Sequence, residues 1–163
     1  TLQKYLVDGG VKSDQLTLGS VSSYPTEEYI NGNPTGRILN YRAQREITVR
    51  SKDVQLISKL SQNIGTVIQS GVNVSNYGPQ YYVSTLSKIR PELLKEATKD
   101  AKLRAEAMTD AVGGKVGAIT SVKAGPIQVT TPDSTMTSDM GMYDTSSIDK
   151  TVTATVTVTF KTN

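Results

Sequence analysis

Near the C-terminus, Val152, Ala154, Val156, Val158 and Phe160 alternate with threonines in KTVTATVTVTF. A period of two sends one parity toward a core and the other toward water. It predicts a half-buried antiparallel strand over 150–161. No proline, glycine or charge falls between Lys150 and Lys161. Edge strands carry such residues to discourage pairing with other chains, so their absence predicts a central strand, paired on both sides. The same alternation marks Leu16, Leu18 and Val21 in DQLTLGSVSSYP, with Gly19 at a bulge. It returns at Leu39, Tyr41, Ala43, Ile47 and Val49 in RILNYRAQREITVR, where Arg45 alone breaks the apolar parity. Between them TEEYINGNPTG reads as a long turn, with the turn dipeptides Asn31-Gly32 and Asn33-Pro34. These segments predict a hairpin with one wet face.

Steps of three and four mark the helices. Leu2, Tyr5 and Leu6 predict the last turns of a helix that ends at Gly9 and Gly10. Leu56, Ile57, Leu60, Ile64, Val67 and Ile68 predict one helix across 51–71, capped by Asp53 or Ser51 and closed by Gly71. VNVSNYGPQYYVS reads as a strand broken at Gly78-Pro79. A long helix follows, with Pro91 expected in its first turn. Its inward stripe is Leu94, Ala97, Ala101, Ala105, Met108 and Val112. The small residues let it lie close on a sheet. Gly113 and Gly114 end it, and KVGAITSVKAG begins a strand. The segment 126–147, rich in Ser, Thr, Asp, Gly and Met, reads as a flexible loop with a short strand at 127–129. Together these elements predict a single α+β domain over 1–163. Its expected form is an antiparallel sheet of about five or six strands with two main helices packed against it.

Composition narrows the function. The chain has 163 residues, enough for a core, and its 36% hydrophobic and 20% charged content argues against wholesale disorder. The net charge of +3 is spread thinly. Lys95, Lys99, Lys102 and Arg104 are interleaved with Glu96, Asp100 and Glu106, which speaks against a nucleic-acid face. The chain has no Cys and no His, and so lacks the commonest zinc ligands, a thiol nucleophile and the usual general base. No enzyme, cofactor or metal centre is expected.

Three stretches carry a family resemblance: YRAQREITVRSKDV, IRPELLKEATKDAKLRAEAMTDAVGGKVGAI and DKTVTATVTVTF. They combine an aromatic-x-Ala strand at Tyr41 and Ala43 ending near Val49-Arg50, an Ala-x-x-x-Ala helix at Ala97, Ala101 and Ala105, and a Gly-x-Val exit. In this the chain resembles the SIMPL family, also called DUF541, from about Leu2 onward. GPQYYVSTLSKIRPELLKEAT is similar to a subgroup held at the membrane by one N-terminal helix. The resemblance implies a bacterial, extracytoplasmic protein of the periplasm or cell envelope. Some members are linked to oxidative-stress defence and some assemble into large rings. No catalytic residue comes with it. The family's N-terminal signal or anchor, first strand and first helix are missing here. Thr1 also begins within a helical pattern. The expectation is therefore an N-terminally truncated chain, exported or anchored by an upstream segment. Its partner is another protein or a second copy, with the membrane reached only through that anchor.

Two clusters offer an alternative, a small-ligand or soft-metal binding protein. Met136, Met140 and Met142 supply thioethers that suit Cu(I) or take up oxidant. Without His or Cys, a loop that happens to contain Met is the simpler reading. Tyr77, Tyr81 and Tyr82 flank Pro79 as an aromatic contact patch, which strand packing also explains. Glu27 and Glu28 read as a solvated tip, and Asp139, Asp144 and Asp149 lack calcium-loop spacing. Ser146 and Ser147 are read as lacking an activating base.

Overall fold

The first eleven residues form α1 (Leu2–Asp8) and a turn that buries Leu6 and Val11. Of the two glycines after α1, only Gly10 takes a left-handed φ, +107°. At Gly9 a Cβ would stand 2.4 Å from Leu60 Cδ2 and 3.1 Å from the Tyr5 carbonyl oxygen, so any larger residue there would push the Leu60 side chain aside. A short 3-10 turn (Ser13–Gln15) leads into β1 (Leu16–Ile30), which pairs antiparallel with β2 (Asn33–Val49). Next come α2 (Val54–Gln62) and α3 (Gly65–Gln69). After an irregular stretch follow α4 (Leu86–Asp110), β3 (Val116–Thr130) and β4 (Thr151–Thr162). This computed structural model describes residues 1–163, in two units, Thr1–Pro79 and Gln80–Asn163.

In the first unit Leu6, Val11 and Leu60 form a small core, with Leu2, Tyr5, Leu16, Ile47, Val49 and Leu56 packed around it. Each fully buried aliphatic side chain contributes about 1.5–3 kcal/mol. The Tyr5 hydroxyl donates to the Leu60 carbonyl at 2.9 Å, tying α1 to α2. Asp53 caps α2, its Oδ1 accepting the Leu56 N–H at 2.9 Å, and Ser51 Oγ accepts the Asp53 N–H at 3.1 Å. The single helix expected across 51–71 is broken at Asn63 and Ile64. Asn63 turns its side-chain amide onto the Lys59 carbonyl at 2.9 Å, which competes with helix propagation.

In the second unit α4 packs chiefly on β4 and only slightly on β3. The β4 parity holds as read: Val152, Ala154, Val156, Val158 and Phe160 are half-buried and the threonines exposed. On α4, Leu94, Ala97, Ala101 and Ala105 are half-buried as expected, but Met108 and Val112 are exposed. Thr109, the i+4 continuation of the alanine row, takes their place and bonds back to the Ala105 carbonyl at 3.0 Å. Pro91 lies inside α4 and not in its first turn, because the helix begins at Leu86.

The expected single sheet of five or six strands is not what forms. There are two separate antiparallel sheets of two strands, β1-β2 and β3-β4. Three readings fail for identifiable reasons. TEEYINGNPTG is mostly strand, and only Asn31 (φ 50°) and Gly32 (φ 81°) make the turn, the two-residue form that matches strand twist. Residues 127–129 extend β3 and add no strand of their own. The expected strand at 72–84 joins no ladder. In consequence β4 pairs with β3 alone and is an edge strand.

Candidate functional site

Two regions distinguish the surface. The first is the β1-β2 ribbon. Its register pairs Leu16 with Val49, Leu18 with Ile47, Val21 with Arg45, Pro25 with Tyr41, Glu27 with Ile38 and Tyr29 with Pro34. Partners in a ladder share a face. One face therefore carries Leu16, Leu18, Val21, Ala43, Tyr41, Ile38 and Tyr29 from base to tip, with Arg45, Ser23 and Glu27 among them. At its base that face packs on the core. Farther out Val21, Tyr29, Ile38 and Tyr41 are exposed, Tyr41 at 67%. A bulge between Thr26 and Glu27 puts Ile38, not Leu39, on this face. Arg45 is reconciled to it by donating from Nε to the Gly19 carbonyl at 2.8 Å across the ribbon. Near the tip Glu28 pairs with Arg37 at 3.5 Å and accepts from Thr35 at 3.0 Å.

The second region is the connection after β3. Gln128 is buried and grips it at two points, donating from Nε2 to the Ser138 carbonyl at 2.7 Å and accepting the Met142 N–H on Oε1 at 2.8 Å. Val129 adds backbone bonds to Met142 at 2.8 Å and Asp144 at 2.7 Å. Asp144 then gathers the Ser146 hydroxyl at 2.7 Å, the Ser147 hydroxyl, both their backbone N–H groups, and the Lys150 ammonium at 2.9 Å. These hydroxyls, and then Lys150, hold its carboxyl well below the usual carboxylate range. Lys150 has a 5% exposed side chain and also donates to the Asp144 carbonyl at 2.7 Å and the Ser147 carbonyl at 2.8 Å.

The sequence reading missed this cluster, although Lys150 follows Ser147 at a Ser-x-x-Lys spacing. The geometry is structural. The ammonium spends its donors on two carbonyls and a carboxylate, and both serine hydroxyls donate to that same carboxylate, whose lowered pKa makes it too weak a base to activate them. The signal that was present is Asp-x-Ser-Ser, which favours side-chain capping of a turn.

The predicted contact residues are scattered by this arrangement. Met136 and Met140 are exposed, Met140 at 94%, while Met142 is half-buried with its backbone on Gln128. Tyr77 is 96% exposed in the first unit. In the second unit Tyr81 is buried, and Tyr82 tilts against Tyr143 with ring centroids 6.0 Å apart. No group of three or more His, Cys, Asp or Glu side chains is placed to hold a metal ion. A shallow groove of about 630 Å³ lies beside the α2 N-terminus, lined by Lys12, Arg50, Lys52 and Asp53 among others, but Asp53 already caps that helix. Four of the six cations of α4 pair with an acid on the same helix: Lys95 with Glu92, Lys99 with Glu96, Lys102 with Glu106 and Arg104 with Asp100. No helix is long and apolar enough to cross a membrane.

A family model described as "SIMPL: Protein of unknown function (DUF541)" matches residues 1–160. No curated protein gives a significant match.

Proposed function

We propose that this chain, which belongs to the SIMPL family of proteins of unknown function, is a non-enzymatic assembly module acting outside the cytoplasm in envelope or oxidative-stress defence. The observation that carries the assembly reading is surface left bare. Two separate compact domains sharing the 17.5 kDa mass would expose roughly 9,500 Å² between them. This chain exposes 12154 Å². The surplus, roughly 2,600 Å² on that scaling, exceeds the ~800 Å² per partner of a standard protein interface. Part of it is apolar, at Val21, Ile38, Tyr41 and Tyr29 on one face of the ribbon. An isolated two-stranded ribbon is at best marginally stable in water, so a face of this kind calls for a partner. The extracytoplasmic part of the reading follows the family's character.

Native mass spectrometry of the full chain tests assembly, with Ile38→Lys/Tyr41→Lys as the control. The wild type is expected as an oligomer and the double variant as smaller species with the same circular dichroism. A wild-type monomer at every concentration would overturn the reading. Protease accessibility of the tagged protein in intact and permeabilised cells tests location, and protection until the inner membrane is breached counts against it.

A further inference from the structure

Within the assembly reading, on which this inference rests, the second unit offers a more specific surface. The two edges of the β3-β4 sheet are treated differently. β3 carries all three register shifts on its own side, together with Lys123, Gly125 and Pro126. Its outer edge is also occupied at Val129, which bridges to Tyr143. Bulges, a lysine, a proline and a covering segment are the usual means of blunting an edge. β4 has none of them before Lys161, its penultimate residue. It is regular over twelve residues, uncharged from Thr151 to Phe160, and unpaired on its outer side.

The helix above it points to the same vacancy. α4 packs chiefly on β4 and little on β3. A helix about 10 Å across covers roughly two strand spacings of about 4.8 Å. Centred on β4, it overhangs the next position in the sheet. No residue of α4 is buried, and all five apolar residues of β4 are only half-buried.

We propose that a second copy of this chain fills that position, by antiparallel pairing of β4 with β4 about a two-fold axis at Val156. The strand is complementary to itself in one register. With Val156 opposite Val156, Val152 meets Phe160, Ala154 meets Val158, Thr153 meets Thr159 and Thr155 meets Thr157. Every apolar side chain faces an apolar one, and the threonines between them face threonines. A shift of two residues one way sets Phe160 against Lys150, and the other way sets Val152 against Thr162. In the favoured register Lys161 falls opposite Thr151, so no lysine of one copy meets a lysine of the other. The result is an isologous four-stranded sheet with both α4 helices on one face.

Sedimentation velocity of the full chain over a concentration series tests the contact. Thr155→Lys/Thr157→Lys sets lysine opposite lysine twice, on the exposed face where the folded monomer tolerates it. It is expected to weaken association roughly tenfold or more. Thr155→Lys/Thr157→Glu sets opposite charges at the same two places and should restore it. Assembly that the double lysine leaves unchanged overturns β4 pairing while the assembly reading stands on another surface. A wild type that never associates removes both. Equal loss in both double variants overturns the register. The chain has no cysteine, which permits an independent readout should the lysine variant unfold. Oxidising a mixture of Thr155→Cys and Thr157→Cys chains should give a disulfide dimer that neither gives alone, and its absence overturns the proposal.

Discussion

Lys150 keeps its ammonium almost wholly out of water, and it can do so because Asp144 has been organised by its neighbours. Ser146 and Ser147 supply hydroxyl and backbone donors that hold the carboxylate ionised and aimed at Nζ. Removing Asp144 strands a buried charge, whereas removing Lys150 leaves a carboxylate that still has the serines. Asp144→Asn is therefore expected to lower the melting temperature more than Lys150→Met does. The pH dependence has a definite sign. The folded pKa lies below the unfolded one, so the stabilisation is complete above about pH 4, the ordinary carboxylate value, and is lost as pH falls below it. Urea midpoints at about pH 6 and pH 3 are expected to differ more for the wild type than for Asp144→Asn. Equal differences would mean that Asp144 is not the group involved.

At the scale of elements, α4 and β4 belong together. The alanine row lets the helix approach β4, and half-burial at Ala97, Ala101 and Ala105 marks the contact line. Leu at position 101 or 105 overfills it, at an expected cost of about 1–3 kcal/mol in chemical denaturation. Met108→Lys, by contrast, alters a side chain that is 73% exposed and should stay within about 0.5 kcal/mol of wild type. Equal effects would mean that the helix is rotated about its axis. The surface ion pairs of α4 add little, since each is exposed and local.

For the whole molecule, the decisive quantity is apolar surface without a cover. Buried apolar residues number only six, Leu6, Val11, Leu60, Val67, Tyr81 and Val129, while Val21, Tyr29, Ile38, Tyr41 and others stand in water. Hydrogen exchange should report this directly. Amides over 24–41 are expected to exchange fast in dilute chain and slow when it is concentrated, while those of α1 and α2 remain unchanged. Protection that does not depend on concentration would show that the ribbon is stable unaided.

Local chemistry was legible in the residues. The cap at Asp53, the alternation of β4, the alanine row of α4 and the Asn31-Gly32 turn each depend on a few neighbouring positions, and each is present. The family, too, could be read from such local patterns. What the residues did not disclose was partnership between distant segments. Periodicity assigns a strand its faces but not its neighbours, so β4, clean enough for a sheet centre, turned out to be an edge. Arg45 looked like a misplaced charge until the ladder brought the Gly19 carbonyl to it. The Asp144 and Lys150 pair lies six residues apart, a separation at which neither a regular helix nor a regular strand lets two side chains meet, and only the folded connection brings the two together. Pairing and burial depend on which surfaces meet, and that is decided by the chain as a whole.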